Sequence, residues 1–93
     1  MATYLIERTI PGAGSMSDAE WSEASATSNQ TIASLGGGVT WLHSYVTADK
    51  VYCVYEADSE DLVREHGRQG GFPVDSVAEV CRMIDPTTAG TPA

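Results

Sequence analysis

The chain has 93 residues, which is enough for one domain with one hydrophobic core. Thirteen acidic and five basic residues give a formal net charge of -8, and a chain this acidic is repelled by nucleic-acid phosphates and anionic membranes. No apolar run approaches the ~20 residues that a membrane-spanning helix needs. The first residues contain neither a basic region nor a small-residue cleavage site, so we expect a cytoplasmic protein.

The first two predicted elements are a strand and a helix. Residues 3–10 are rich in β-formers, which predicts the first strand, and the turn residues of segment 11–14 end it. Ser17 and Glu20 have the spacing of a capping box, which predicts that the first helix begins there. The three glycines at 36–38 predict its end.

A hairpin follows the first helix. Residues 39–47 and 51–56 are rich in β-branched and aromatic side chains, which predicts the second and third strands. The short link between them is typical of a hairpin turn.

The last predicted elements are a helix, a strand and a tail. Asp58 or Ser59 is a potential N-cap for a second helix that runs to about residue 69 and stops at the following glycines. Residues 76–83 predict the fourth strand. Residues 86–93 have no large apolar side chain, which predicts a flexible C-terminal tail.

The order β-α-β-β-α-β predicts a ferredoxin-like α+β fold, with a four-stranded antiparallel sheet and two helices on one face. The usual strand order of that fold is 4-1-3-2. We therefore expect a single domain over residues 1–85.

Both faces of the predicted sheet are largely apolar or aromatic. If Thr47 pairs with Lys50, one face carries Trp41, His43, Tyr45, Tyr52, Val54 and Glu56, and the other carries Leu42, Ser44, Val46, Val51, Cys53 and Tyr55. Helices cover only one face, and the other would expose more apolar surface than monomers tolerate. We therefore expect a homodimer that closes two sheets face to face.

The two cysteines are predicted on strands that are separated by a third strand. Two strand spacings place Cys53 and Cys81 roughly 9–10 Å apart, beyond the ~7 Å limit between the Cα atoms of a disulfide. We expect both thiols to be free.

Two histidines and two glutamates are the candidate functional residues. His43 lies among aromatic residues and His66 shares a helix face with aliphatic ones, so ordinary core packing also explains each. Glu56 ends a largely apolar strand face, where a carboxylate needs a proton, a cation or a hydrogen-bond partner. A surface ion pair with Arg8 would explain Glu7. These residues alone leave both a metal site and ordinary packing open.

Four segments of the chain resemble a known protein family. They are Tyr4–Arg8 followed by Pro11-Gly12, then Val39–Val46, Tyr52–Ala57 and Val63–Asp75, of which the last is the most specific. They are similar to a family of small actinobacterial nickel-binding proteins that was formerly a domain of unknown function. The resemblance implies a dimeric ferredoxin-like α+β barrel that binds Ni²⁺ and has a role in metal storage, buffering or sensing.

The resemblance also implies the metal ligands. Glu7, Glu56 and His66 match its motifs, and His43 is the fourth candidate, at a position where the family often has arginine. Ni²⁺ accepts imidazole nitrogen and carboxylate oxygen. We expect His66 to be the principal ligand, because it belongs to the most specific segment and could point toward a strand-end glutamate. Whether the two histidines share one site stays open, since they can lie on opposite sides of the sheet.

Two other functions are compatible with the sequence. Dimeric α+β barrels that resemble this chain include cofactor-free monooxygenases and isomerases for small hydrophobic substrates. In such an enzyme Trp41, Tyr45 and Tyr52 would line the pocket and His43 would act as general base. The other alternative is a dimeric interaction module without a small-molecule site.

Overall fold

The structure is a computed structural model, which describes residues 1–90. Its elements in chain order are β1 (Ala2–Thr9), α1 (Asp18–Ser34), β2 (Val39–Val46), β3 (Lys50–Ala57), α2 (Glu60–Gly70) and β4 (Ser76–Val80). Short 3-10 turns lie at Ala13–Ser15 and Pro86–Ala89. Within residues 1–90, no helix has both the length and the apolar character that crossing a membrane requires.

The four strands form one antiparallel sheet with the order β2-β3-β1-β4. The prediction of a ferredoxin-like α+β fold is confirmed, including the strand order. The hairpin between β2 and β3 closes through the amide of Thr47, which donates to the carbonyl of Lys50 at 2.8 Å.

The two faces of the sheet differ in burial. In β3, alternate residues from Val51 to Ala57 are buried, and β1 likewise buries Tyr4, Ile6 and Arg8. These residues form the core with the helices, and we call this face the helix side. We call the opposite face the open side; its residues include Thr3, Leu5, Glu7, His43, Tyr45, Tyr52, Val54 and Glu56.

Both helices begin and end at the signals that the sequence contains. The Ser17 hydroxyl accepts from the amide of Glu20 at 3.1 Å, and the Glu20 carboxylate accepts from the amide of Ser17 at 3.1 Å. Helix α2 has Ser59 as its N-cap. It ends at Gly71, whose φ of 74° is a conformation that favours glycine.

The fourth strand is shorter than predicted, since it ends at Val80 and not at residue 83. β4 pairs only with β1, and Val80 already lies opposite Thr3 near the start of β1. Residues after Val80 have almost no strand left to pair with, so their backbone groups cannot continue the ladder. Within the predicted tail 86–93, the turn Pro86–Ala89 is exposed; residues 91–93 lie outside the described residues, and the flexibility of the tail stays a prediction.

A β-bulge in β2 changes the predicted composition of both faces. Trp41 lies opposite Tyr55, but His43 lies opposite Val54, so Leu42 is an extra residue in the ladder. The prediction that Trp41 shares a face with His43 is therefore wrong. Trp41 packs against the core on the helix side, and Leu42, which was predicted on the other face with Ser44, is the unpaired and exposed residue of the bulge.

Candidate functional site

Three of the four predicted metal ligands lie on the open side of the sheet. His43 is exposed and lies opposite Val54, and Glu56 is half-buried and lies two residues farther along β3. His43 and Glu56 are therefore diagonal neighbours on adjacent strands, with Cα atoms about 7–8 Å apart by ordinary sheet geometry. An imidazole and a carboxylate at this separation can reach one ion placed between them.

The third open-side ligand, Glu7, is engaged in an ion pair. Its Oε1 lies 2.8 Å from Nζ of Lys50, a diagonal neighbour on β3. The hydrogen bond and charge of Lys50 lower the pKa of Glu7, and Glu7 in turn raises the pKa of Lys50. The Glu7 carboxylate is thus ionised and paired with Lys50. Strand β3 separates it from His43.

The fourth predicted ligand, His66, lies on the helix side. Its side chain is fully buried, and its ring packs beside Tyr55 and Phe72 with ring centroids 5.2 and 5.6 Å away. Nε2 is 3.0 Å from the hydroxyl of Ser28, and Nδ1 is buried without a hydrogen-bond partner among the described residues. Burial, together with the nearby charge of Arg8, lowers the pKa of His66 to about 4.

The sheet therefore separates the two histidines. Within residues 1–90 of a single chain, no three side chains of the histidine, cysteine, aspartate and glutamate types come together in a group that could hold a metal ion. Of the four candidate ligands, His43 and Glu56 are the pair that adjacent strands place side by side.

The open side also carries apolar side chains that are exposed in the described part of a single chain. Leu5 is 40% exposed and Tyr45 is 63% exposed. The ring of Tyr45 makes an edge contact with His43 at a centroid distance of 5.2 Å. Val54 of β3, the strand between β1 and β2, is half-buried. The candidate ligands thus lie within an apolar and aromatic surface, as a buried interface would require.

A cavity of about 220 Å³ lies on the helix side, between the N-terminal half of α1 and strands β1, β2 and β3. Its lining includes Arg8, Trp21, Ser28, Trp41 and Tyr55. The aromatic pocket of the enzyme alternative is not formed, because the sheet separates Trp41 from His43, Tyr45 and Tyr52.

Sequence reasoning considered Arg8 only as a surface partner of Glu7, whereas Arg8 is buried and Glu7 pairs with Lys50. It also missed Ser28. The signal for Arg8 was available, because Tyr4, Ile6 and Arg8 alternate along β1 and therefore share the buried face. The signal for Ser28 was weak, since a serine in a polar helix is usually solvated. Both cysteines are free as predicted, with Cys53 buried and Cys81 exposed.

Comparisons with known proteins agree with this fold. A family profile described as "Nickel responsive protein SCO4226-like" matches residues 4–80. The chain is similar in structure to SCO4226 from Streptomyces coelicolor A3(2), known from a crystal structure, with a TM-score of 0.76 and 15% sequence identity. The similarity covers 89% of this chain and 100% of that chain. No curated protein matches the sequence.

Proposed function

Since this chain belongs to the SCO4226-like family of nickel-responsive proteins, we propose that it binds Ni²⁺ where the open sides of two copies meet. The adjacent placement of His43 and Glu56 on an otherwise apolar face carries this proposal. The bound metal serves nickel storage, buffering or sensing in the cytoplasm.

A second copy supplies what one chain lacks. Ni²⁺ usually takes four to six ligands in tetragonal or octahedral geometry, whereas His43 and Glu56 of one chain supply two donors. A twofold axis through the facing sheets would double every donor, so His43 and Glu56 of both copies would give two nitrogens and two carboxylates. The surrounding apolar residues would exclude water and strengthen the attraction between carboxylates and metal.

His66 is a weaker candidate than the sequence suggested. A metal ion at its free Nδ1 would lie inside the core, near the guanidinium of Arg8, where like charge repels it. No carboxylate faces His66 from the elements packed against it in the contacts of the described residues. We therefore assign His66 to packing and propose His43 as the principal ligand in its place.

The test compares the two histidines directly. Nickel affinity is measured by calorimetry and bound metal by mass spectrometry for wild type, His43→Ala and His66→Phe. Loss of a ligand in His43→Ala should weaken nickel binding by more than ~10- to 100-fold, the range typical when a residue that only hydrogen-bonds to a ligand is removed. His66→Phe keeps a ring in the core and should bind nickel like wild type.

Two further variants complete the set. Glu56→Gln should weaken binding as strongly as His43→Ala, because the amide lacks the charge of the carboxylate. Cys53→Ser should change nothing, since the thiol lies on the helix side. Normal nickel binding by His43→Ala together with loss in His66→Phe would refute the open-side site and restore the ranking expected from the sequence.

A further inference from the structure

Arg8 is the most unusual charged residue of the chain. Its side chain is only 3% exposed, although arginine is rarely buried without a carboxylate partner. Nη1 donates to the carbonyl of Pro73 at 2.8 Å, and the guanidinium lies 5.6 Å from the ring centroid of Phe72. Nη2 is buried and has no hydrogen-bond partner among the described residues. A cation is thus held in the interior with one donor group unused.

This guanidinium lines the helix-side cavity of about 220 Å³. Two further polar side chains, Ser28 and Tyr55, line the same cavity. Burial raises the pKa of Tyr55, so its hydroxyl stays protonated and can donate a hydrogen bond. The cavity lining therefore combines a buried cation with a neutral hydroxyl donor.

The remainder of the cavity is apolar. Trp21 of α1 and Trp41 of β2 line it together with aliphatic residues of β2 and β3, such as Val46 and Val51. Its volume exceeds the ~150 Å³ of an engineered apolar cavity that holds benzene. A body of one aromatic ring or a short branched chain fits this space.

We infer that the helix-side cavity binds a small organic acid, whose carboxylate pairs with Arg8 and whose apolar body lies beside Trp21 and Trp41. Arginine presents paired donors that match the two oxygens of a carboxylate. The ligand would satisfy Nη2, which otherwise stays an unpaired buried donor. The site lies across the sheet from His43 and Glu56, so it is independent of the nickel site.

The chain contains a direct probe of this cavity. Its only two tryptophans are Trp21 and Trp41, and both line the cavity. Benzoate and hexanoate are titrated into the protein with a chelator present, and the tryptophan emission is followed, with calorimetry as a second measurement. The neutral amides benzamide and hexanamide serve as matched ligands without the charge.

At least one acid should give a saturable change in emission and bind at least ~10-fold more tightly than its amide, because a charged hydrogen bond to Arg8 is lost in the amide. Arg8→Gln should abolish the preference for the acid. Since removing a buried arginine can also prevent folding, Ala24→Leu provides a second test by filling the cavity from α1. Its matched control is Ala26→Leu, at an exposed position of the same helix.

Binding in wild type and Ala26→Leu, with loss in Ala24→Leu, supports the site. The inference is overturned if neither acid, at concentrations up to ~10 mM, changes the emission of the folded wild type. A dissociation constant of ~10 mM would be weak even for so small a ligand. Equal binding of acid and amide, or unchanged binding in Ala24→Leu, overturns it as well. Because the chelator removes nickel, failure here leaves the nickel proposal unaffected, and the reverse also holds.

Discussion

Arg8 and His66 show how one buried cation changes the chemistry of its neighbour. The guanidinium of Arg8 is always charged at physiological pH, and it lies in the same part of the core as His66. Two positive charges in that environment repel each other strongly. Burial in the core, together with this repulsion, keeps the imidazole neutral, and Nε2 of the ring hydrogen-bonds with the hydroxyl of Ser28.

This neutral histidine makes stability depend on pH. The pKa of His66 is about 4 in the folded chain, against an ordinary value of 6.5. Between these values the unfolded chain binds more protons than the folded chain. The free energy of unfolding should therefore be highest above pH 6.5 and should fall by about 3 kcal/mol as pH drops to 4.

Urea unfolding of wild type and His66→Phe across this pH range, in the absence of nickel, measures the effect. The carboxylates titrate in both proteins, so the difference between the two curves isolates His66. The difference should shrink as pH falls, because only wild type loses the contribution of a neutral histidine. His43→Phe, with His66 intact, should keep the pH dependence of wild type. Parallel curves for wild type and His66→Phe would contradict the neutral, buried state of His66.

Among the elements, the segment Val63–Asp75 owes its distinctive sequence to packing. Helix α2 ends at Gly71, and the chain then turns back so that the amide of Phe72 donates to the carbonyl of Gly67 at 2.8 Å. The returning chain lies against the helix so closely that a Cβ added at Gly70 would overlap the ring of Phe72. The carbonyl of Pro73 then accepts from Arg8. Small residues in this segment permit the close return.

Gly67 gives the element-scale prediction. A Cβ at this position would lie 2.8 Å from Cγ2 of Val74 and 3.3 Å from the carbonyl oxygen of Phe72. Alanine is the better helix former by about 1 kcal/mol, yet the β-branched valine and the backbone cannot move away easily. Gly67→Ala should therefore destabilise the fold by about 1–3 kcal/mol in chemical denaturation. Gln69→Ala, at an exposed position of the same helix, should stay within about 0.5 kcal/mol. A more stable Gly67→Ala variant would show that helix propensity outweighs the contact.

The elements also show where sequence reasoning succeeds and where it fails. Local signals such as the capping box at Ser17 and the glycine turn after α2 act within a few residues, so they predict the helices well. The bulge at Leu42 depends on the pairing of two strands and has no local signal, and it moved Trp41 to the other side of the sheet. The strand register did predict the face that His43 shares with Val54 and Glu56, whereas the surroundings of His66 follow from tertiary packing and have no local signal.

At the scale of the whole molecule, the chain is a two-layer slab. Its principal dimensions are 43 × 32 × 21 Å, and the shortest fits one sheet with one layer of helices on it. The helices cover one side of the sheet, whereas the open side exposes Leu5 and Tyr45. Association through the open side would bury this surface, but it would also double a net charge of -8. Apolar burial and charge repulsion therefore act against each other in the expected dimer.

This opposition gives the prediction for assembly. We expect a homodimer whose interface buries more than the ~1,200 Å² of weak contacts. Light scattering at micromolar protein concentration should give the mass of the dimer. Added salt should strengthen the dimer, because screening weakens the repulsion between the two acidic chains.

Val54→Asp places a carboxylate at the centre of the open side and should yield monomers. Ala26→Asp adds the same charge at an exposed position of α1 and should leave the dimer intact. Circular dichroism checks that both variants fold. A wild-type monomer, or equal dissociation of the two variants, would exclude the open side as the interface, and the nickel site would then have to be completed within one chain.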